Sequence, residues 1–505
     1  MIGKQKHVRL PAVSFLLISL TLAALFTSTP QGPALAQSAG NPIHIRIAAE
    51  ESPYANVLLD MSPVQFPVKP YVENGTTMVP LRALGEAVGA KIGWDEANRA
   101  ATYSKGGLTL IITIGKPTIT ASDGRPISMP EPATLLDGNT MVPVRLFTEL
   151  LGYQVSWDEH TRTVHILSPK EHVRLWGFYA LGSISYSSWQ DVFGAKYPLS
   201  ADDCPAQQMD GVFLGWFAIG KHGKVTSEHN STGFQKPDGW PSVILEARWH
   251  GMKVFSMYFA DEQSDISSLL DDPTALHSLA RDIAATSAEY DGVLIDFEGL
   301  GLDEATADRD RQNLNEFLTA LRSLLEDKPL SVALPPLDSP FTGYDHEYIG
   351  NVADFVVLMA YNYQERNNPS PVAPFEQVDK AIRQEIEIMG PEKVILGVPA
   401  YGALYTIAED GQASIRALPP SKDGLTGLPE YPNAPGLDAD PQARNAFPVF
   451  VPEYLCNYVE WEGEDASYKA YLEDTLSLKT RVLMAKRYGL KGVAVWRLGF
   501  LPDNW

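Results

Sequence analysis

From about Arg174 to the C-terminus the chain repeats one pattern: a short apolar run rich in β-branched and aromatic residues, then a longer amphipathic stretch. Eight runs read as strands: Leu175 to Ala180, Gly211 to Phe217, Lys253 to Tyr258, Gly292 to Phe297, Leu330 to Leu334, Phe355 to Ala360, Val394 to Val398 and Gly492 to Trp496. The clearest helices between them are Asp310 to Leu325, Gln377 to Met389 and Ser477 to Tyr488. Strands alternating with helices predict a parallel α/β fold, and eight of them predict a (β/α)8 TIM barrel over residues 172–505. An insertion at about 402–470 separates the seventh and eighth strands. In such a barrel, functional side chains gather at the C-terminal ends of the strands.

The first part of the chain has a different pattern. Thr77-Met78-Val79-Pro80-Leu81-Arg82 recurs 63 positions later as Thr140-Met141-Val142-Pro143-Val144-Arg145, and Trp94-Asp95-Glu96 recurs at the same offset as Trp157-Asp158-Glu159. Each copy has a turn-prone Asn74-Gly75 or Asp137-Gly138, a short apolar strand, and a helix over Leu81 to Val88 or Val144 to Leu151. A glycine at 89 or 152 then stands where a helix C-cap wants one. Two copies predict one small α+β repeat domain over residues 43–168, with Trp94 and Trp157 as core residues or, alternatively, carbohydrate contacts.

Residues 1–36 read as a signal peptide: Lys4, Lys6 and Arg9 precede an apolar run from Val13 to Phe26, and Ala34-Leu35-Ala36 forms a small-residue cleavage site. Export implies a secreted or cell-surface protein. Of the 505 residues, 45% are hydrophobic and 20% charged, which is globular composition, with 40 Lys plus Arg against 62 Asp plus Glu. The net charge of -22 argues against a nucleic-acid partner, since a polyanion would be repelled. The two cysteines, Cys204 and Cys456, are free to pair in an oxidising exterior but do not by their spacing establish a bridge. No CxxC or Cys/His cluster accompanies them, so no metal or cofactor is expected. Oligomeric state is left open.

The chemistry concentrates in Tyr290-Asp291-Gly292-Val293-Leu294-Ile295-Asp296-Phe297-Glu298. Strand side chains alternate, so Asp296 and Glu298 share one face at the barrel mouth. Burying two carboxylates there is costly unless they are used, and each raises the other's pKa, as a general acid near neutral pH requires. Asp291, before the strand, either joins them or caps a turn.

The 291–298 segment resembles the Asp-x-x-Asp-x-Asp-x-Glu signature of glycoside hydrolase family 18. Leu358-Met359-Ala360-Tyr361-Asn362-Tyr363, Gly397-Val398-Pro399-Ala400-Tyr401-Gly402 and Val495-Trp496-Arg497-Leu498-Gly499 resemble its segments at strands six, seven and eight. Trp176-Gly177-Phe178-Tyr179-Ala180 is similar to the opening strand of exported, spore and cell-wall members. The resemblance implies a β-N-acetylglucosaminidase-type or chitinase-type hydrolase acting on an N-acetylglucosamine-containing polysaccharide, peptidoglycan or chitin. In this family the sugar's own acetamido group is the nucleophile. It implies Glu298, Asp296 and Tyr361 as catalytic residues and Trp496, Asn362, Asp291 and Tyr179 as substrate-binding residues. Leu294 departs from the signature's inner Asp, which predicts easier ionisation of Asp296 and an altered pH profile. Phe255-Ser256-Met257-Tyr258 replaces the family's Ser-x-Gly-Gly, and Asn362 its common Asp. Insertion residues Tyr454 and Trp461 either stack on sugars or pack against the barrel.

The repeats resemble the copper amine oxidase N-terminal-like domain of exported proteins. Oxidase chemistry itself needs a His-x-His pair, and none of the ten histidines forms one. A structural or cell-wall attachment role for this domain is therefore expected. The competing reading of the barrel is a non-catalytic carbohydrate-binding protein, whose mark would be loss of the acid that Glu298 retains.

Overall fold

The computed structural model describes residues 53–105, 107–169, 173–180, 188–220, 223–228, 235–261, 263–418, 448–463 and 466–501. The signal read at 1–36 and the Pro-rich stretch after Leu418 lie outside them.

The eight apolar runs form one closed parallel barrel of strands Arg174–Ala180, Gly211–Ile219, Lys253–Ala260, Gly292–Phe297, Leu330–Leu334, Phe355–Leu358, Val394–Pro399 and Gly492–Trp496. Each strand pairs with the next in parallel, and the eighth pairs with the first through Leu175 opposite Val493. Alternation sorts the side chains into two cores. Val293, Ile295 and Phe297 face outward to the helix layer, whereas Leu294 lies in the interior with Phe213, Phe255, Met257, Phe259 and Phe355. The interior is tightly aromatic: Trp176 stacks on Phe213 at 4.9 Å and meets Phe255 edge-on at 5.2 Å. The third strand runs two residues past the predicted Tyr258, because its ladder with the fourth continues to Ala260 opposite Phe297.

The barrel bottom is stitched by a recurring device. Asp210, Asp291 and Asp354 stand immediately before the second, fourth and sixth strands. Their side chains accept the backbone N–H groups of Leu175, Val254 and Leu330 near the starts of the first, third and fifth. Each Asp backbone N–H returns a bond to the carbonyl of that same residue, at 2.7 to 2.8 Å. Before the eighth strand Lys491 keeps only the backbone half, donating its N–H to Val394 O at 2.9 Å.

The helices Ala307–Leu325, Phe375–Met389 and Thr475–Tyr488 occupy the predicted stretches. The last is begun by Asp474, whose carboxylate accepts the N–H groups of Leu476 and Ser477 while Ser477 Oγ accepts the Asp474 N–H. Between the seventh and eighth barrel strands an inserted antiparallel sheet contains Gly402–Ala408, Ala413–Leu418, Val449–Val451, Cys456–Glu462 and Ala466–Leu472. Trp461 is buried in it, stacked on Tyr468 at 5.1 Å, and Tyr454 packs on Tyr458 and Tyr471. Both of these aromatics thus serve the inserted sheet's own packing. Cys204 and Cys456 are buried and unpaired. Among the described residues no helix is long and apolar enough to cross a membrane.

In the N-terminal domain the two repeats meet through their Thr-Met-Val-Pro strands. Thr76–Pro80 pairs antiparallel with Asn139–Pro143, Val79 opposite Val142, so the copies are related by a local two-fold. Asn74-Gly75 and Asp137-Gly138 form two-residue hairpin loops with positive φ at both positions, 49° and 78° in one and 47° and 77° in the other. Such loops select Asn or Asp followed by Gly. The helices are Leu81–Ala87 and Val144–Glu149, and Gly89 and Gly152 take the left-handed conformation just beyond them. Trp94 departs from its expected core position: it is 40% exposed, with its indole N–H held by Glu96 at 2.5 Å. Its counterpart Trp157 makes the same bond to Glu159 at 2.6 Å and is half-buried beneath Arg162.

Candidate active site

Period-two alternation carries the inward face of the fourth strand from Leu294 through Asp296 to Glu298, the last just past the strand end. Leu294 is fully buried beneath the acids. Asp296 is buried, and its Oδ1 has no hydrogen-bond partner within the protein. Among the described residues neither acid forms an ion pair with Lys, Arg or His. Burial, then the charges of Glu298 and Asp261, hold the Asp296 carboxyl well above the usual range. Burial, then Asp261, pushes Glu298 up to about 7. Two acids of one strand thus share a site where a proton is retained near neutral pH.

Tyr361 follows the sixth strand and is half-buried. Burial first, then Tyr401, Asp296 and Glu298, keep its hydroxyl well above the ordinary range, so it stays a neutral donor beside the acids. Gly397 on the seventh strand makes room for it: a Cβ there would stand 2.9 Å from Tyr361 Cε1. Asn362 takes the left-handed backbone conformation, φ 67°, which Asn tolerates better than most residues. Its side-chain oxygen accepts the Tyr401 hydroxyl at 2.6 Å. Trp496 ends the eighth strand half-buried, its ring edge-to-face with Phe178 at 5.1 Å over the interior core.

Two expected substrate-binding residues lie elsewhere. Asp291 is at the opposite end of the same strand, accepting the Val254 N–H at 2.9 Å and pairing with Arg248 at 3.3 Å; its carboxylate is a stitch of the barrel bottom. Tyr179 is buried in the outer core, edge-on to Trp216 at 6.2 Å, because alternation from the inward Phe178 turns it away from the mouth. Conversely, Asp261, Tyr344 and Tyr401 stand beside the acids; the sequence points to neither Asp261 nor Tyr344, and it presents Tyr401 only within the strand-seven segment, without a role. Tyr344 donates to Phe297 O at 2.6 Å, fastening the strand end between the two acids. Its loop position carries no period to reveal it. Asp261 follows the inward Phe259 by two residues, a signal hidden when the third strand is ended at Tyr258.

A closed parallel barrel with paired acids at the C-terminal end of its fourth strand and a tyrosine beside them defines a glycosidase-type architecture. Residues 185–500 match the family described as Glycosyl hydrolases family 18, more than half of the 505-residue chain, and the chain belongs to that family. Residues 58–166 match the Copper amine oxidase N-terminal domain. The cortical fragment-lytic enzyme of Bacillus subtilis is 27% identical over 260 residues, 49% of this chain and 56% of that protein. Mouse chitotriosidase-1 is 26% identical over 244 residues, 41% of this chain and 49% of that protein. The chain thus spans about half the length of these curated relatives. The crystal structure of the Bacillus cereus spore cortex-lytic enzyme SleL has the same fold, with a TM-score of 0.53 at 16% identity, covering 72% of this chain and 80% of that one.

Proposed function

We propose that the barrel is a retaining glycoside hydrolase that cleaves β-1,4 linkages of an N-acetylglucosamine-containing polymer, with the substrate's acetamido carbonyl as nucleophile. Glu298 protonates the glycosidic oxygen as the bond breaks, and the acetamido oxygen closes on the anomeric carbon. Asp296 orients the acetamido N–H and stabilises the positive charge of the oxazolinium intermediate. Tyr361 donates to the acetamido oxygen. Glu298, now ionised, takes a proton from the water that opens the intermediate, restoring the acid. Trp496 offers a ring face to the sugar's C–H groups and Asn362 a polar contact at the rim.

The observation that carries this reading is the pairing of Glu298, held up to about 7 chiefly by burial, with a buried Asp296 that has an unpartnered oxygen. An acid with that pKa is protonated often enough near neutral pH to serve a leaving group and acid enough to part with its proton. Cell-wall glycan is the favoured polymer, supported by the likeness to a cortical fragment-lytic enzyme; chitin is the alternative. The proposed organisation is a signal peptide at 1–36, a cell-wall attachment or spacer domain at 43–168 and the catalytic barrel at 172–505, making the enzyme secreted or cell-surface.

The test is release of reducing ends from purified peptidoglycan and from chitooligosaccharides, with Glu298→Gln and Asp296→Asn beside the wild type. Release by the wild type that Glu298→Gln abolishes supports the reading. Equal release by the two refutes the catalytic role, and binding without release identifies a carbohydrate-binding protein.

A further inference from the structure

The third and fourth strands run side by side in parallel with Phe259 level with Asp296 and Ala260 level with Phe297. The Glu298 N–H donates to Ala260 O at 2.7 Å, carrying that ladder one step past the ends of both strands. The residue level with Glu298 is therefore Asp261. On the third strand Phe255, Met257 and Phe259 face the barrel interior while Val254, Tyr258 and Ala260 face the helices. The next inward position is again 261. Residues level across adjacent strands project from the same face, with backbones about 4.8 Å apart. Two independent regularities, register and alternation, thus bring Asp261 beside Glu298 at the mouth. The interaction of Asp261 with both Asp296 and Glu298 agrees with that placement.

We infer that Asp261 is a functional carboxylate of this site, a positioning residue whose negative charge keeps the proton on Glu298 for the leaving-group step. The fourth strand has an apolar Leu294 below Asp296, so it offers Glu298 one acid neighbour of its own; the third strand supplies a second from the side. The position matters chemically. A charge level with Glu298 raises the acid directly, whereas one buried below Asp296 would act first on Asp296. Among the described residues the groups facing Glu298 from the surrounding elements are Asp296 on its own strand, Asp261 on the third, Tyr344 after the fifth, Tyr361 after the sixth and Tyr401 after the seventh. The tyrosines are all held well above their ordinary values by burial and are neutral near pH 7, and after burial it is the charge of Asp261 that raises Glu298.

This inference rests on the acid role given to Glu298, and its test separates the two. In the full chain with 13C-labelled glutamate carboxyls, the Glu298 resonance is assigned by its loss in Glu298→Gln and titrated in wild type, Asp261→Asn and Asp261→Glu. The Glu298 midpoint is expected to fall by about one pH unit in Asp261→Asn and to stay near the wild-type value in Asp261→Glu. The alkaline limb of kcat/KM should move by the same amount in the same direction. An unmoved midpoint in folded Asp261→Asn overturns the inference, whether or not any glycan is cleaved. Inactive wild type with a shifted midpoint would refute the hydrolase reading and leave the charge coupling standing. Asp261→Ser makes the same measurement if the carboxamide variant does not fold.

Discussion

The two ends of the fourth barrel strand carry the same functional group in opposite circumstances. At the bottom, Asp291 is partnered twice, by the Val254 N–H and by Arg248; Asp354 repeats both contacts with the Leu330 N–H and Arg322, and Asp210 repeats the backbone contact with the Leu175 N–H. At the mouth, Asp296 and Glu298 face each other, Asp261 and neutral tyrosines, and Asp296 keeps one oxygen unpartnered. A carboxylate that accepts a backbone N–H or pairs with a cation has its oxygens committed to the fold. A carboxylate surrounded by its own kind in a dry site is held toward its protonated form, at a cost to stability, and is available for proton transfer. Residue type does not separate the two roles; the end of the strand and the identity of the partners do.

The sharpest way to break this contrast is to neutralise the mouth. Glu298→Gln should lower glycan hydrolysis by about a thousandfold in a reducing-end assay. The same change should alter how stability depends on pH. The folded Glu298 pKa is raised from 4.5 to about 7, so its contribution is present in full below about 4.5 and is lost as pH rises through about 7. Thermal melts should therefore show the wild type losing stability relative to Glu298→Gln between those limits. A parallel course for the two proteins would mean that Glu298 is not held protonated. Next in size, Tyr361→Phe removes a donor but leaves the ring against Gly397. It should reduce kcat by about 100-fold with little change in melting temperature. The smallest effect comes from the other end of the strand. Asp291→Asn should cost about 1–2 kcal/mol in urea unfolding while kcat/KM stays within about twofold of the wild type. A large loss of activity there, with stability intact, would restore Asp291 to the site and collapse the distinction between the two ends.

Most of the barrel was legible because its strands are short apolar runs set between amphipathic stretches, and because a period of two sends Asp296 and Glu298 to one face. The same period, applied from the inward Phe178, excludes Tyr179, because only alternate residues of the opening strand face the interior. Asp291 was ambiguous for a physical reason. An acid before a strand and an acid after one look alike in sequence, and only the neighbouring strand's register shows which backbone N–H it meets. Asp261 was missed because its signal depends on where the third strand ends, and that end is fixed by pairing with the fourth strand rather than by its own composition. Tyr344 comes from a loop, where no periodicity exists to read, and Tyr401 stands just past a strand end, where a recognisable segment carries it but alternation does not assign its direction. Trp94 misled in the other direction: a large aromatic in a repeated motif suggested core, but a partner for its indole N–H in Glu96 lets it remain at the surface.

The antiparallel joining of Thr76–Pro80 to Asn139–Pro143 makes the small domain indivisible. Although the sequence was duplicated, neither copy completes the four-stranded sheet that joins them, since each hairpin there covers with its own strand the open edge of N–H and C=O groups on the other. Deleting one repeat would not leave a half-sized domain. It would expose the edge of the remaining Met-Val-Pro strand, so the smallest heritable unit here is shorter than the smallest unit that covers its own strands.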